Sequence, residues 1–248
     1  MVLKALLCSL VAMFGLSDSK FFYAMFQRPI ITASLTGLVL GDFQTGVIIG
    51  GTLELVWMGF MNIGASIPAE VVTGSVIGTA FGILSNGGVD LALVIAIPIA
   101  LLGSYLKTIL YTFLSWFVHR ADKYADEGDL NGVNRVHIIT GLIIIVSLGL
   151  LTFVAILVGA DAMSSFIDSI PQKVIDGFSV ANGMLVAVGF GMLLNVMSTK
   201  TLIPFYFLGF ILAAYLKVDT MFVAILAAII AMVRVFGKSN DAKGDFNV

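Results

Sequence analysis

Long apolar stretches separated by short polar ones dominate the pattern of this chain. No Asp, Glu, Lys or Arg occurs in residues 136–160 or 177–199, and shorter uncharged runs occupy residues 71–89, 91–106 and 201–216. The two longer runs exceed the roughly 20 residues with which a helix crosses a bilayer. All the runs are continuous and lack the alternation that is typical of barrel strands, so we expect them to form helices.

Prolines, glycines and charges divide these stretches into individual elements. We predict a first helix over residues 2–15, a half-helix or re-entrant segment over 30–40, and a helix over 45–61 that is followed by irregular chain up to Glu70. The segment 30–40 follows Pro29 and is too short to cross a bilayer. Further helices are expected over residues 71–84, 90–118, 136–158, 177–199, 201–216 and 220–236. The pattern therefore predicts about 8–10 membrane segments, some of them broken.

One strongly polar segment, HRADKYADEGDLNGVNRVH at residues 119–137, interrupts this pattern. We interpret it as a solvated connection between two membrane halves, residues 1–118 and 138–236, with a polar tail at residues 237–248.

Two segments of the chain share a proline, a short glycine-containing apolar run, and an Asp near a Thr. They are RPIITASLTGLVLGDFQTGVIIG and LIPFYFLGFILAAYLKVDTMFVAIL. Duplicated halves with interrupted hydrophobic segments are typical of secondary transporters, so these segments indicate pseudo-repeated halves.

Glycines recur every four residues in the predicted helix 71–84, at Gly74, Gly78 and Gly82. A stripe of small residues lets the backbones of two helices approach closely in lipid. Glycine is common in membrane helices, but that frequency does not account for the strict spacing. We therefore expect this helix to be buried among other helices.

The composition identifies lipid as the solvent of the chain. Of the 248 residues, 59% are hydrophobic and 11% are charged, whereas about a quarter of a soluble domain is charged. We predict an all-α polytopic membrane protein without a water-soluble domain.

The net charge of −2 and the lack of a basic patch give no indication of nucleic-acid binding. A single cysteine, Cys8, excludes an internal disulfide framework.

The stretch GTLELVWMGFMNIGASIPAE, residues 51–70, places Glu54 within an apolar run. An ionised carboxylate at that depth is costly unless a polar partner, a water-filled cavity, a proton or a ligand offsets it. Glu54 therefore either contributes to a functional site or forms a structural ion pair with Arg28. Trp57 lies one turn further on a similar helix face. Its ring would either stack on a sugar or lie in the interfacial aromatic belt.

The chain after this helix carries polar side chains on backbone that cannot continue as a regular helix. Gly64 and Pro68 interrupt it, and its polar residues are Asn62, Ser66 and Glu70. Irregular backbone at membrane depth is tolerated only where it is buried in protein or lines a cavity. Carboxylates, amides and hydroxyls make several hydrogen bonds each, so this stretch is suited to a ligand rich in hydroxyl groups.

The sequence lacks the motifs of several enzyme classes. It contains no His-Glu-x-x-His zinc motif, no Walker A loop and no Gly-x-Ser-x-Gly elbow. Its two histidines and one cysteine are far apart, so we expect no metal, no cofactor and no catalytic residue on this chain. An intramembrane enzyme is disfavoured for this reason. An ion-coupled secondary transporter, with Glu54 as a proton carrier, remains an alternative to a sugar permease.

One long stretch, residues 27–81, reads QRPIITASLTGLVLGDFQTGVIIGGTLELVWMGFMNIGASIPAEVVTGSVIGTAF. It resembles the membrane enzyme IIC subunit of the mannose–fructose–sorbose family of the bacterial sugar phosphotransferase system. The resemblance continues through HRADKYADEGD and IPQKVIDGFSVANGMLVAVGF to IPFYFLGFILAAYL. The segment GGTLELVWMG and the pattern of the second half are especially similar to N-acetylgalactosamine or galactosamine members.

The resemblance implies group translocation across the bacterial inner membrane. A hexose or amino sugar would enter through IIC with the help of a homologous membrane subunit, IID. The soluble IIB subunit, charged by IIA, would phosphorylate the sugar, so no residue of this chain is expected to carry the phosphoryl group. Members of the family assemble as trimers of IIC–IID pairs and are thought to move a core domain against a scaffold, in an elevator-type motion.

The sugar-binding stretch of the family matches a defined set of residues in this sequence. By resemblance, the substrate-binding residues are Gln27, Glu54, Asn62, Gly64, Ala65, Ser66 and Glu70. Family members usually carry Asp or Asn where this chain has Glu70, and the longer side chain would narrow the pocket. This departure affects the expected identity of the sugar and not the expectation of transport.

Overall fold

The computed structural model describes residues 1–58, 69–169 and 172–244. The α-helices are α1 (Val2–Ser17), α2 (Pro29–Leu40), α3 (Phe43–Trp57), α4 (Val71–Leu84), α5 (Gly88–Asp126), α6 (Leu130–Ser169), α7 (Gln172–Met197), α8 (Ile203–Phe210) and α9 (Thr220–Gly244). Short π-helical turns follow α1 at Asp18–Phe22 and α8 at Ile211–Tyr215. No strand occurs among these residues, which confirms the prediction of an all-α protein.

Three of the described helical segments are long and apolar enough to cross a membrane: Val2–Phe22, Gly88–Asp126 and Leu130–Gly159. Several shorter apolar helices accompany them, among them α2 and α4. The 12 residues of α2 rise by about 18 Å, which is less than the roughly 30 Å thickness of the hydrocarbon core. The chain is therefore a polytopic membrane protein in which full spans and shorter helices are combined.

The segment predicted as a half-helix is one arm of a helical hairpin that α2 and α3 form. Gly41 ends α2 in the left-handed region at φ 92°, and the Asp42 side chain accepts a hydrogen bond from the Thr45 N–H at 3.1 Å, which caps α3. The two arms touch through glycine, because a Cβ placed on Gly37 would lie 2.7 Å from the Gly46 Cα. The contact leaves no room for a side chain at either glycine.

The glycine stripe of α4, defined as Gly74, Gly78 and Gly82, packs against α5. A Cβ on Gly74 would lie 2.7 Å from the carbonyl oxygen of Ala96, and one on Gly78 would lie 2.6 Å from the carbonyl oxygen of Ala92. Every residue of α4 except its first and its last two is buried. The predicted burial of this helix is therefore confirmed.

Helices α5 and α6 contain most of the polar segment 119–137. The segment is helical on both sides of a short turn at Gly128, which has a φ of 72°. With 39 residues, α5 is about 58 Å long, roughly twice the thickness of the hydrocarbon core. Its polar end therefore extends beyond the membrane.

The chain forms two compact units, Met1–Leu193 and Leu194–Val248. In the first unit, one apolar cluster joins α1, α4 and α6, and a second joins α3 to α5. The second unit contains the end of α7 together with α8 and α9. The division into pseudo-repeated halves at residues 119–137 stays a prediction.

Candidate functional site

Glu54 lies one turn before the end of α3, where it pairs with Arg28 at the start of α2. The Nε–H of Arg28 donates to Oε1 of Glu54 at 2.5 Å, and Nη2 of Arg28 contacts the same oxygen. The second carboxylate oxygen accepts the N–H of Ile30 at 3.3 Å. The structural ion pair that the sequence left open as an alternative is therefore present, and it closes the base of the α2–α3 hairpin.

The Arg28–Glu54 pair changes the argument for a ligand at this position. Arg28 offsets the cost of the Glu54 charge in the membrane without any bound molecule, so that cost alone no longer indicates a ligand. The two side chains nevertheless remain 36% and 23% exposed, respectively. A carboxylate has about four lone-pair sites and a guanidinium has five N–H donors. The pair thus presents both donors and acceptors at one accessible edge, as a polyhydroxylated ligand requires.

Helix α7 approaches the end of α3 beside this pair at Gly189. A Cβ on Gly189 would lie 2.7 Å from the carbonyl oxygen of Leu55 and 2.8 Å from that of Val56. Only a glycine allows α7 to approach the α3 backbone this closely. The backbone of α3 directly after Glu54 is therefore in contact with α7, although the Leu55 side chain stays 39% exposed.

The turn that carries Gln27 and Arg28 depends on Asp18, a residue that the sequence analysis did not single out. The Asp18 side chain is buried, and its two oxygens accept the N–H of Ala24 at 2.6 Å and the N–H of Gln27 at 3.5 Å. The available signal was an acidic residue at the edge of the first apolar run, nine positions before Gln27. Hydropathy alone places such a residue at the membrane interface and not inside the protein.

If the turn at Gln27 and Arg28 binds the sugar that the resemblance implies, Asp18→Asn should raise the KM of uptake about tenfold while the maximal rate changes less. The amide of Asn has one acceptor oxygen, so its NH₂ group would face one of the two backbone N–H donors. An unsatisfied buried group costs about 1–3 kcal/mol, and the turn that positions Arg28 would relax. Uptake kinetics in cells, with surface amounts measured by immunoblot, test this expectation.

Asp122→Asn is the matched control for this variant, because the Asp122 side chain is 68% exposed on α5. It should leave both kinetic parameters unchanged. If Asp18→Asn has the KM and the melting temperature of the wild type, the positioning role of Asp18 is wrong.

Glu70 caps helix α4 from a buried position. Its Oε2 accepts hydrogen bonds from the Thr73 N–H at 2.7 Å and from the Thr73 hydroxyl at 2.6 Å. Its backbone N–H donates to the carbonyl oxygen of Ala100 on α5 at 2.9 Å. Only 5% of the residue is exposed. The longer side chain at this position thus has a structural partner, while its assignment to the sugar site stays a prediction.

Trp57 lies inside the protein, where only 1% of the residue is exposed. It belongs to the apolar cluster that also contains Leu53, Ala69 and Leu93. This burial contradicts the expectation of a ring in the interfacial belt, while the expectation that the ring stacks on a sugar stays a prediction. The hydrophobic pattern does not distinguish the buried face of a membrane helix from its lipid-facing side.

Three of the seven predicted site residues lie in the described part of the chain, at two places. Glu54 and Gln27 lie at the base of the α2–α3 hairpin, and Glu70 lies at the start of α4. Four predicted residues lie outside the described part of the chain: Asn62, Gly64, Ala65 and Ser66.

Comparison with known proteins identifies relatives along most of the chain. The sequence profile of the family described as "PTS system sorbose-specific iic component" matches residues 2–233. The mannose-specific EIIC component of Escherichia coli is 35% identical over 84% of this chain and 78% of its own length. The sorbose-specific EIIC component of Lacticaseibacillus casei is 36% identical over 84% of this chain and 76% of its own length. N-acetylgalactosamine permease IIC component 1 of Escherichia coli is 34% identical over 84% of this chain and 79% of its own length.

Two solved structures share the fold. One, described as "Structure of membrane protein", superimposes with a TM-score of 0.86 at 33% identity and covers 95% of this chain and 96% of its own. The other is a complex of the mannose transporter ManYZ and microcin E492, with a TM-score of 0.61 at 33% identity and 95% coverage of each chain.

Proposed function

Because the chain belongs to the sorbose-type IIC family of the bacterial phosphotransferase system, we propose that it is the permease subunit through which a hexose or amino sugar crosses the bacterial inner membrane as IIB phosphorylates it. The family match, which extends over residues 2–233, supports this proposal. The protein is a sugar-specific IIC component of the mannose, sorbose and N-acetylgalactosamine type. The coupling to IIB and the identity of the sugar go beyond this family assignment.

The accessible edge of the Arg28–Glu54 pair supports a sugar contact at the base of the α2–α3 hairpin. Adjacent hydroxyls of a sugar ring donate to a carboxylate and accept from a guanidinium, so the pair would bind two neighbouring hydroxyls. In this proposal Gln27 and the polar residues between Asn62 and Glu70 complete the site. N-acetylgalactosamine or galactosamine is the favoured substrate because of the segment GGTLELVWMG. The relatives specific for mannose, sorbose and N-acetylgalactosamine are 34–36% identical and thus do not discriminate among these sugars.

A second membrane subunit of the IID type completes the proposed transporter. The similarity to the mannose transporter ManYZ, whose solved structure is a complex, supports such a pairing. IIA and IIB would supply the phosphoryl group, and trimers of IIC–IID pairs would form the assembly. The α2–α3 hairpin, whose arms are shorter than a span, is a candidate for the part that moves in an elevator-type cycle.

Phosphorylation of sugars by membranes that contain the complex tests this function. We expect phosphoenolpyruvate-dependent formation of one sugar phosphate from a panel of mannose, fructose, sorbose, galactosamine and N-acetylgalactosamine. Omission of IIB should abolish both phosphorylation and net uptake. The alternative, an ion-coupled secondary transporter, predicts uptake that persists without the phosphoryl donors and collapses when an uncoupler is added. That second outcome would contradict group translocation.

A further inference from the structure

A pocket of about 340 Å³ lies beside the π-helical turn that follows α1, between α5 and α6. Its polar lining comes from one residue of the turn and from two residues each of α5 and α6: Lys20, Tyr111, Ser115, His137 and Thr140. Two buried apolar residues, Leu114 and Ile144, also line it. None of these residues belongs to the Arg28–Glu54 site.

The pocket carries a positive charge that no lining carboxylate offsets. The Lys20 ammonium donates to the Tyr111 hydroxyl at 2.9 Å and lies 5.1 Å from the centroid of that ring. Neither an Asp nor a Glu is present among the described residues that line the pocket. An ammonium has three donors, so two remain for a bound molecule. The pocket is therefore suited to an anion.

Two further groups can donate to an anion in this pocket. The Tyr111 hydroxyl accepts from Lys20, and its own proton has no acceptor in the described part of the chain. The imidazole of His137 has at least one N–H, and its ring packs edge-on against Phe21 with 5.9 Å between the centroids. Ser115 and Thr140, by contrast, donate to carbonyls of their own helices. Lys20, Tyr111 and His137 thus form a set of donors that fits the oxygens of a phosphate group.

The pocket lies at the level where both long helices change from apolar to polar. On α5, the uncharged residues 108–118 precede His119 and Arg120, and on α6 the uncharged run begins directly after Arg135. Trp116, next to the pocket on α5, is 56% exposed, and Arg120 lies 4.1 Å above its ring. Exposed tryptophans at such a boundary are typical of the membrane–water interface, which is the level of the lipid headgroups.

We propose that this pocket binds the phosphate group of an anionic membrane phospholipid. Lys20, Tyr111 and His137 contact the phosphate oxygens, and Leu114 and Ile144 contact the first carbons of the acyl chains. The ammonium of a phosphatidylethanolamine headgroup would find no carboxylate in the lining, so phosphatidylglycerol binds more tightly. The proposal depends on the interfacial depth and the charge of the pocket, and it is independent of the sugar that is transported.

Native mass spectrometry of the full-length chain, titrated with phosphatidylglycerol in mild detergent, measures the lipid-bound fraction. We expect Lys20→Gln to weaken binding about fivefold, because one basic residue contributes on that order to the attraction of anionic lipid. Lys20→Arg should retain most of the affinity. Lys123→Gln removes an exposed lysine of α5 that does not line the pocket, and this control should bind as the wild type does.

The outcomes separate a lipid site from its alternatives. Equal binding by the wild type and Lys20→Gln, or an equal loss in Lys123→Gln, would overturn the site. Equal affinity for phosphatidylethanolamine would overturn the preference for an anionic headgroup. Displacement of the lipid by inorganic phosphate or glycerol 3-phosphate would show a site for soluble phosphate and make the lipid assignment wrong. If Lys20→Gln does not accumulate as folded protein, Tyr111→Phe provides the second variant, and unchanged lipid binding by it would also overturn the proposal.

Discussion

Glu54→Gln is expected to reduce sugar uptake about 100-fold while the protein still inserts into the membrane. A hydrogen bond to a charged group contributes about 1.5–3 kcal/mol, and the substitution weakens both the proposed sugar contact and the hold on Arg28. The loss of stability should be smaller, about 1 kcal/mol or less, because both side chains are partly exposed and solvent screens the pair. Uptake of labelled sugar, normalised to the amount of membrane-inserted protein, measures the effect.

The charge-reversed double variant, Arg28→Glu with Glu54→Arg, distinguishes the two roles of this pair. It restores an ion pair at the base of the α2–α3 hairpin but exchanges the positions of the donor and the acceptor. If Glu54 binds sugar, the double variant should regain the melting temperature of the wild type without regaining uptake. Recovery of uptake in the double variant would show that the pair is structural only and would exclude Glu54 from the sugar site.

The second large effect is expected at the glycine stripe of α4, where Gly78→Ala should destabilise the protein. In an open helical position the same substitution is favourable by roughly 0.5–1 kcal/mol, because glycine loses more backbone entropy on folding. At Gly78 the added methyl group would lie 2.6 Å from the Ala92 carbonyl oxygen and 2.8 Å from the Ala96 Cβ. Helices α4 and α5 would have to separate, at a cost of about 1–3 kcal/mol. Thermal unfolding in detergent measures the change.

Gly191→Ala is the matched control for Gly78→Ala. Gly191 lies in α7, and no atom of another element lies within 4 Å of the position that its Cβ would occupy. This variant should melt at or above the temperature of the wild type. If Gly78→Ala lowers the melting temperature and Gly191→Ala does not, the effect lies in the α4–α5 contact. Equal shifts of the melting temperature in both variants would contradict the packing role of the stripe.

The elements that the sequence predicted well are those with local signals. Helix α4 has the predicted bounds, since Glu70 caps its start and a turn at Asn86 follows it. Its glycine spacing also predicted its close packing. The start of α3 moved from residue 45 to Phe43, because Asp42 caps the helix through Thr45. The π-helical turn after α1 has no comparable local signal, and it was not predicted.

The site was only partly predictable, for reasons that differ from residue to residue. The pairing of Glu54 with Arg28 could be anticipated, since charges are scarce in this apolar region and each of them needs a partner. The capping role of Glu70 was missed because glutamate is not among the preferred N-cap residues. The role of Asp18 depends on a turn between two helices, and the burial of Trp57 depends on how α3 packs against α5. Neither feature leaves a periodic signal in the sequence.

The α2–α3 hairpin also has a consequence for the biogenesis of this protein. Neither arm is long enough to cross the bilayer alone, so we expect the two arms to enter the lipid as one unit, packed against each other at Gly37 and Gly46. Arg28 and Glu54 stand at opposite ends of this unit in the chain and meet only when the second arm is complete. We therefore expect the two charges to pair only after the whole hairpin has left the ribosome. The neutral hairpin can then move from the translocon into the membrane.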